Sequence, residues 1–496
     1  MYVSSMAGDR LATKAPIQFE TLSSTKVPSF EIHTGNMLQQ MTGFGATFSE
    51  AGMICLGDLS VSQQESVLQG LFDSDRGAGF SLMKTPIAGG AFMAAGPWYS
   101  YDDVPGDIEM KHFSVKRDVE PDGIITFIKR AQHYGNFRLD ATMEYPPDWM
   151  LVDPATNQSV RPEYYDALAR YYLTYVRKYQ DEGVFVQDVT LFEEPRQQDQ
   201  GYTAISYLAI GDLLKNHVAP LFASGGMNVQ LIPAAARTAA EAYRSYPAIT
   251  HDAETRQYLR DLSVEEDTLS SKEVSSDSIA ALHRAYPDLR LLMSRDGMRH
   301  RAGWAAGEST TQGGFEDGQS WGDIIASDIE AGASGWIYQN TILDENGGPW
   351  LMSNPHHAPE NNAKEPLVII NRQSRTVRYT GLYYSLAHFS KFVRPGALRV
   401  LMDGKYPGLH GLAFLSPDPK GGWRWVVEMI NDRPESTPIQ IAFELNVIHR
   451  AFQITLAASS VTTFVWTPQA GTIGNLPAGY MDVRNATNVW QKKEWK

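Results

Sequence analysis

Acidic side chains follow several of the predicted buried strands of this chain. Glu193 and Glu194 come at the end of an apolar strand predicted over residues 186–192, and Asp296 follows one predicted over residues 289–294. Acidic residues in similar places are Glu144, Glu265 and Glu266. A positioned carboxyl group can give a proton to a leaving group and later take one from water. Like charges packed together raise one another's pKa or attract a cation. These residues therefore predict an acidic site, whose charge an amino sugar, another cationic ligand or Ca²⁺ would offset.

The elements that must position these residues alternate between strand and helix from about residue 41 onward. One helix start is predicted from Ser62-Gln-Gln-Glu65, which has the spacing of a capping box. Eight strand–helix alternations predict an α/β fold with a (β/α)8 TIM barrel, in which functional groups lie at the carboxyl ends of the strands. After Val393 the pattern becomes one of short alternating strands, which predicts a β-sandwich. These strands are predicted at residues 398–401, 412–416, 424–430, 439–443, 451–455 and 462–466.

Several tracts of the chain resemble one known family. Residues 41–51 read MTGFGATFSEA, and residues 189–195 read VTLFEEP. The first tract resembles the entry strand of glycoside hydrolase family 30, the glucosylceramidase-like retaining β-glycosidases. The second lies where that family carries its Asn-Glu-Pro motif, and residues 383–400 resemble its last barrel helix and domain junction. The resemblance covers residues 2–466 and implies a side β-sandwich built from N-terminal and C-terminal strands.

The resemblance implies two catalytic carboxylates. Glu194 takes the place of the family's acid/base, and Asp296 takes the place of its nucleophilic Glu. Because Asp is one methylene shorter than Glu, its carboxylate is withdrawn by about 1.5 Å. Retaining sites hold the two carboxyl groups about 5–5.5 Å apart, and inverting sites about 6.5–9.5 Å apart. Asp296 is therefore expected to act as a nucleophile or as a general base.

Other positions that contact sugar in the family carry mostly changed residues here. Glu193 replaces the Asn that binds the sugar 2-hydroxyl, Glu144 replaces a sugar-facing Trp, and Lys84 replaces an Arg. Trp149 and Asn340 keep the family's residue types. These five residues are expected to bind substrate. The changes cluster at the strand ends, so the site is either adapted to another ligand or released from catalysis.

The charge of the site predicts its preference among sugars. The carboxylates should disfavour uronic acids and tolerate neutral or amino sugars. Arg295, Arg299 and Arg301 near the seventh strand, together with Lys84, supply the opposite charge. We count more acids than bases at the predicted strand ends, which favours the acidic interpretation.

Composition excludes several other classes of function. A net charge of −14 over 496 residues leaves no basic stripe for nucleic acid, and no apolar run is long enough to predict a membrane span. The histidines lack metal-ligand spacing, no EF-hand pattern occurs, and no Gly-rich loop matches a phosphate or dinucleotide site, so no cofactor and no metal are expected. Cys55 is the single cysteine, which excludes an internal disulfide. Secretion or periplasmic export after signal removal and a cytoplasmic location both stay open.

The sequence predicts four segments. Residues 1–36 are strands that join the sandwich, residues 37–393 form the catalytic-type barrel, residues 394–466 form the sandwich, and residues 467–496 are a tail. The predicted function is that of a glycoside hydrolase with a carbohydrate substrate, acting on a β-linked glycoside or oligosaccharide through two carboxylates. The alternative is a non-catalytic carbohydrate-binding or scaffold relative, since several expected sugar contacts are replaced.

Overall fold

The structure is a computed structural model, and it describes residues 1–21, 25–90, 93–154, 157–195, 205–267, 272–296, 315, 317–349, 364–445 and 448–468. By its internal contacts the chain divides into two units. The barrel unit comprises Phe44–Gly313 and Ala331–Thr380. The β-rich unit comprises Met1–Gly43, Gly314–Glu330 and Gly381–Lys496. The domain limits predicted from the sequence stay a prediction beside this division.

The described strands and helices follow one another in this order. The strands are β1 (Tyr2–Ser5), β2 (Ala12–Thr13), β3 (Glu20–Thr21), β4 (Ser29–Gln40), β5 (Gly43–Ala46), β6 (Leu82–Pro86), β7 (Arg138–Thr142), β8 (Leu151–Asp153), β9 (Asn157–Val160), β10 (Asp188–Thr190), β11 (Gln230–Ile232), β12 (Ala235–Ala236), β13 (Asp261–Asp267), β14 (Arg290–Asp296), β15 (Ala333–Tyr338), β16 (Ile342–Asp344), β17 (Val368–Asn371), β18 (Thr376–Tyr379), β19 (Leu398–Asp403), β20 (Leu409–Pro417), β21 (Trp423–Asn431), β22 (Thr437–Leu445), β23 (Ile448–Leu456) and β24 (Ser460–Trp466). The α-helices are α1 (Glu50–Gly57), α2 (Val61–Phe72), α3 (Lys116–Val119), α4 (Ile124–Gln132), α5 (Tyr165–Asp181), α6 (Tyr207–Asp212), α7 (Ala219–Ser224), α8 (Ala239–Ser245), α9 (Pro247–Thr250), α10 (Ala253–Arg256), α11 (Lys272–Ala285), α12 (Gly318–Ala331) and α13 (Gly381–Phe392). A π-helical segment, Leu213–Val218, connects α6 to α7.

A closed ring of parallel strands forms the centre of the barrel unit. One sheet has the order β11-β10-β7-β6, and the other has the order β12-β13-β14-β15-β5. Parallel bridges join Thr47 to Lys84 and Glu193 to Ala235, which closes the ring at both seams. Because β11 and β12 are successive parts of one barrel strand, the ring has eight strands. The predicted (β/α)8 barrel is confirmed.

Two features fix the strands of the ring. Gly45 of β5 admits no side chain, since a Cβ there would lie 2.0 Å from the Leu82 carbonyl oxygen of β6. At the amino end of the ring, Arg138 pairs with Asp188 and with Asp261, and Arg290 donates to Asp261 at 2.6 and 2.7 Å. Active sites of such barrels lie at the carboxyl end, so charge pairs at the amino end serve stability rather than reaction.

The start of α2 differs from the sequence prediction. The capping box consists of Ser60 and Gln63, whose side chain and backbone groups are hydrogen-bonded to each other, and it is not Ser62 with Glu65. Both Ser-x-x-Gln/Glu spacings occur in this tract, so the pattern alone did not distinguish them. The apolar face that follows, which contains Val67, Leu68 and Leu71, is buried as predicted.

A curled ten-stranded sheet dominates the β-rich unit. Its order is β2-β1-β24-β21-β20-β19-β4-β22-β23-β3, which confirms all six strands predicted after Val393. N-terminal strands enter it as expected, because β1 pairs with β24 and β4 pairs with both β19 and β22. The sheet curls so that Phe443 and Phe452 of one half contact Trp466 of the other half. The predicted tail lies outside the described residues from position 469 onward.

Candidate active site

The Glu193–Glu194 segment follows β10 at the carboxyl end of the barrel, and the neighbouring strands hold its backbone. The Glu193 N–H donates to the Met143 carbonyl at 2.8 Å, and the Glu194 N–H donates to the Ala235 carbonyl at 2.8 Å. Glu194 has a φ of 41°, in the left-handed region that residues other than glycine rarely adopt. Such strain persists only where the surroundings impose it, and it is concentrated at functional sites.

Lys84 of β6 and the acidic residues around it form a charged cluster inside the ring. Its ammonium group contacts Glu265 of β13 and lies 3.1 Å from Glu193 Oε1. The Gln339 amide donates to the other oxygen of Glu265 at 2.8 Å. Lys84 is only 4% exposed, so these carboxylates replace the water that it has lost. Burial raises the pKa of Glu193, the Lys84 ammonium opposes that rise, and the charge of Glu194 adds to it.

Asp140 of β7 is the register partner of Lys84 on the neighbouring strand β6. It is buried and accepts a hydrogen bond from Thr190 Oγ1 at 3.0 Å. Burial and the neighbouring Asp188 raise the pKa of Asp140 to about 7. Asp140 is therefore a buried acid on the strand next to Lys84 whose pKa lies near neutral pH.

Asp296 ends β14, and two of its partners lie among the described residues. Its Oδ1 accepts a hydrogen bond from the Asn340 side-chain amide at 3.1 Å, and its Oδ2 contacts the Lys364 ammonium group. Asp296 is 8% exposed, and Lys364 is equally buried. The Asn340 Oδ1 atom is buried and accepts no hydrogen bond from the described residues. The predicted pair of Asp296 and Asn340 is thus brought together, with a lysine that the sequence did not indicate.

The predicted acidic pocket needs one correction, which concerns Glu266 and Arg295. Successive residues of a strand point to opposite faces of the sheet. Glu265 faces the interior with Lys84, and Glu266 faces helix α11, where Ser275 donates to it. Arg295 lies 3.2 Å from the Glu266 carboxylate and donates to Ser275 at 2.8 Å. Glu266 therefore adds no charge to the barrel interior, and Arg295 neutralises none there.

The two remaining predicted contacts follow β7. Glu144 is half-buried, and its carboxylate lies against the backbone of Gly90. Trp149 is also half-buried; its indole N–H donates to the Asp102 carbonyl at 2.9 Å, and its ring packs edge-on against Tyr164 at 5.1 Å. The substrate contacts assigned to Glu144 and Trp149 stay a prediction. Arg299 and Arg301 lie outside the described residues.

Sequence reasoning missed Lys364, Gln339 and Asp140 as members of the site. Lys364 is 68 positions away from Asp296 along the chain, and no motif connects them. Gln339 directly precedes Asn340, and its residue type gives no signal of its contact with Glu265. Asp140 has a signal in principle, because an acidic residue in the middle of an apolar strand must be paired or neutral when it is buried.

Two properties of the described residues concern metals and membranes. Among those residues, no group of three or more His, Cys, Asp or Glu side chains is arranged to hold a metal ion. No helix within the described ranges combines the length and apolar character needed to cross a bilayer.

Comparison with known proteins now defines the class. The family model described as the glycosyl hydrolase family 30 TIM-barrel domain matches residues 41–393. An endo-1,6-beta-D-glucanase of Trichoderma harzianum is 24% identical over 456 residues, which are 86% of this chain and 85% of that protein. The lysosomal acid glucosylceramidase of Mus musculus is 22% identical over 422 residues, covering 82% of this chain and 77% of the relative. The solved structure of an endo-β1,6-glucanase shares the fold, with a TM-score of 0.79, 21% identity, and coverage of 94% of this chain and 99% of that one.

The fold is that of a barrel glycoside hydrolase. The chain belongs to glycosyl hydrolase family 30, because the family's barrel domain accounts for more than half of its length. The predicted function, hydrolysis of a β-linked glycoside, is confirmed at this level, and so is the expected carbohydrate substrate.

Proposed function

We propose that this protein hydrolyses β-linked glucosides, with Glu194 as acid/base and Asp296 as nucleophile. The observation that carries the proposal is a carboxylate at the carboxyl end of each of two strands of one barrel, β10 and β14. Two carboxyl groups that flank a glycosidic bond are the parts this reaction requires.

The partners of Asp296 suit a nucleophile. A carboxylate beside an ammonium group and an amide N–H favours its ionised form, because both partners stabilise the negative charge. An ionised carboxylate can attack the anomeric carbon or activate a water, and it cannot serve as the proton donor. Lys364 is then a positioning residue that compensates for the shorter side chain of Asp by fixing where its oxygen lies.

Glu194 suits the complementary role. The hydrogen bond from its N–H to Ala235 fixes its peptide, and its left-handed backbone sets the direction in which its side chain leaves the strand end. An acid/base must give a proton to the leaving oxygen and then take one from water. The adjacent residue, Glu193, forms an ion pair with Lys84. The two neighbouring glutamates therefore lie in different environments.

Glu193 and Asn340 are proposed to bind sugar hydroxyls. In the family an amide occupies the position of Glu193, and an ionised carboxylate cannot donate a hydrogen bond as an amide does. Paired with the Lys84 ammonium group, the Glu193 carboxylate would instead accept hydrogen bonds from sugar hydroxyls. The Asn340 Oδ1 is buried and lacks a hydrogen-bond partner among the described residues, so a sugar hydroxyl that reaches it would satisfy it.

The substrate class rests on the relatives. One relative is named an endo-1,6-beta-D-glucanase and another a lysosomal acid glucosylceramidase; the first name refers to a β-1,6-linked glucan and the second to a glucosyl lipid. We therefore propose β-1,6-linked gluco-oligosaccharides as the first substrates to test, with glucosylceramide second. Aryl β-glycosides of other sugars complete the panel.

The test compares three variants on this panel. Glu194→Gln and Asp296→Asn should each lower kcat by about 10²–10⁴-fold, the range typical of removing a positioned acid, base or nucleophile. Glu182→Gln is the matched control, because Glu182 follows α5 and precedes the amino end of β10, away from the site. Proton NMR of the first-formed anomer completes the assay: a β product supports a nucleophilic Asp296, and an α product makes it a general base.

Two results would contradict the proposal. Near wild-type activity of Glu194→Gln on a substrate with a poor leaving group would remove its acid/base role. No turnover of any panel member by the wild-type protein, with oligosaccharide binding retained, would favour the non-catalytic alternative.

A further inference from the structure

The loop after β6 is fixed by an ion pair although it contains no helix or strand over residues 93–99. Glu50, the first residue of α1, accepts hydrogen bonds from the Ala94 N–H at 2.7 Å and the Ala95 N–H at 3.0 Å. Arg117 of α3 pairs with the other oxygen of Glu50 and donates to the Ala95 and Pro97 carbonyls at 2.6 and 3.0 Å. One acid and one base thus satisfy four backbone groups of a single short loop.

The same pair fixes the residue that follows Trp98. The Arg117 guanidinium lies 4.3 Å from the centre of the Tyr99 ring, and the Tyr99 hydroxyl donates to Asp118 at 3.2 Å. The Gly89 N–H donates to the Tyr99 carbonyl at 3.2 Å, which returns the loop to its own beginning. Trp98 therefore sits between two anchored neighbours, and its backbone is ordered before any ligand arrives.

Two glycines bring Trp98 and Glu144 to the same place. A Cβ on Gly89 would lie 3.1 Å from Trp98 Cζ3, and a Cβ on Gly90 would lie 2.5 Å from Glu144 Oε1. The indole and the carboxylate thus both lie against one two-residue stretch of backbone that has no side chains. The Trp98 ring also packs edge-on against Tyr145, with ring centres 5.4 Å apart, and Tyr145 is the neighbour of Glu144.

We propose that Trp98 and Glu144 form a sugar-binding subsite at the carboxyl end of β6 and β7. Trp98 is half-buried, so part of its ring stays accessible to a ligand. A large aromatic face packs against the apolar C–H face of a pyranose, and a carboxylate accepts hydrogen bonds from its hydroxyl groups. The inference rests on the proposed function and extends it: the subsite holds a second glucosyl unit, so the preferred substrate is an oligosaccharide rather than a simple glucoside.

This arrangement also assigns a role to the Glu144 carboxylate. The family resemblance implies a sugar-facing Trp at the position that Glu144 occupies in this chain. Here Trp98 supplies an aromatic face next to that carboxylate. The aromatic contact is thereby moved to the neighbouring loop, while the carboxylate adds selectivity for neutral hydroxyl-rich rings over anionic ones.

The test measures binding and turnover separately, with a β-1,6-linked glucose disaccharide and tetrasaccharide as probes. Calorimetry uses the Glu194→Gln variant as a slow background, alone and combined with Trp98→Ala, Trp98→Phe, Glu144→Gln or Arg117→Ala. Trp98→Ala should weaken tetrasaccharide binding by about 10-fold or more, the equivalent of one lost aromatic contact. The tetrasaccharide affinity of Trp98→Phe should lie between those of Trp98→Ala and the background protein. Disaccharide affinity should fall less than tetrasaccharide affinity in each variant. In the hydrolytic protein, Trp98→Ala should raise KM for the tetrasaccharide by about 10-fold, and by more than it raises KM for an aryl glucoside.

Lys116→Ala is the matched control, because Lys116 is the exposed neighbour of Arg117 on the same helix. It should change neither binding nor KM, whereas Arg117→Ala should weaken binding through the loop. Tetrasaccharide affinity unchanged in Trp98→Ala, with the variant folded by circular dichroism, overturns the subsite while turnover by the wild type still supports the proposed function. Binding lost in Trp98→Ala in a protein that turns over no substrate supports the subsite and contradicts the proposed function. No binding of either probe to the Glu194→Gln background overturns the subsite.

Discussion

Buried carboxylates have different partners in the two units. In the barrel unit, Glu265 and Asp296 contact lysine ammonium groups, and Asp188 contacts Arg138. In the β-rich unit, Glu428 accepts a hydrogen bond from the Thr463 hydroxyl at 2.6 Å and lies 4.0 Å from His388. Burial lowers the pKa of His388 to about 3, so the imidazole is neutral near pH 7.

The difference lies in how the burial of each acid is compensated. Burial raises the pKa of Glu428 well above its ordinary value, with the Thr463 hydrogen bond and Arg424 opposing the rise only in part. Taking an unpaired charge out of water is costly, and protonation avoids that cost. Glu265 and Asp296 of the barrel unit each have a lysine ammonium group as a partner instead, which offsets part of the cost of burying a charge.

The largest expected effect comes from removing the Lys84 ammonium group, which contacts Glu193 and Glu265 in the barrel unit. Lys84→Met should lower the free energy of unfolding by about 3–5 kcal/mol, because it leaves Glu193 and Glu265 buried without their cation. Urea unfolding followed by tryptophan fluorescence measures it. Lys84→Arg keeps the charge and is the control. Lys84→Met combined with Glu265→Gln should recover part of the loss, and equal stability of the single and double variants would contradict the coupling.

How far the sequence predicts this contrast depends on how local the signal is. The barrel and the six C-terminal strands are visible as periodic patterns, and each needs only a short window of residues. Asp296 and Asn340 were each named as candidate site residues from the family resemblance, but their contact with each other was not predicted. The contact between Asp296 and Lys364, the orientation of Glu266 toward α11, and the burial of Glu428 depend on strand register and on residues far apart in the chain, which composition and periodicity do not encode.

A smaller effect of opposite sign is expected from the β-rich unit. Glu428→Gln should leave stability at pH 7–8 unchanged or raise it by about 0.5–2 kcal/mol, since an amide needs no proton to be neutral. The raised folded-state pKa means that the wild-type acid favours folding at low pH, and this contribution is lost as pH rises above the unfolded value of about 4.5 toward the folded one. The variant should therefore show a flatter stability profile over that window. Glu265→Gln makes the same chemical change in the barrel and should destabilise; a similar response of both variants would remove the distinction between the units.

The smallest expected effect concerns a histidine of the β-rich unit that, unlike His388, faces carboxylates. His410 of β20 bridges Asp323 and Glu330 of α12, each at 3.0 Å from a ring nitrogen. Burial lowers the pKa of His410, but the hydrogen bonds and charges of the two carboxylates outweigh it and raise the pKa above its ordinary value. A raised histidine pKa gives stability that is complete below about pH 6.5 and is lost as pH rises through the folded-state value. Thermal melts at pH 5.5 and 8.5 should show a larger fall in Tm for the wild type than for His410→Gln, by roughly 1–3 °C. Because both ring nitrogens can donate only when the imidazole is protonated, equal Tm shifts in the two proteins would mean that His410 stays neutral and that its carboxylate partners do not set its charge.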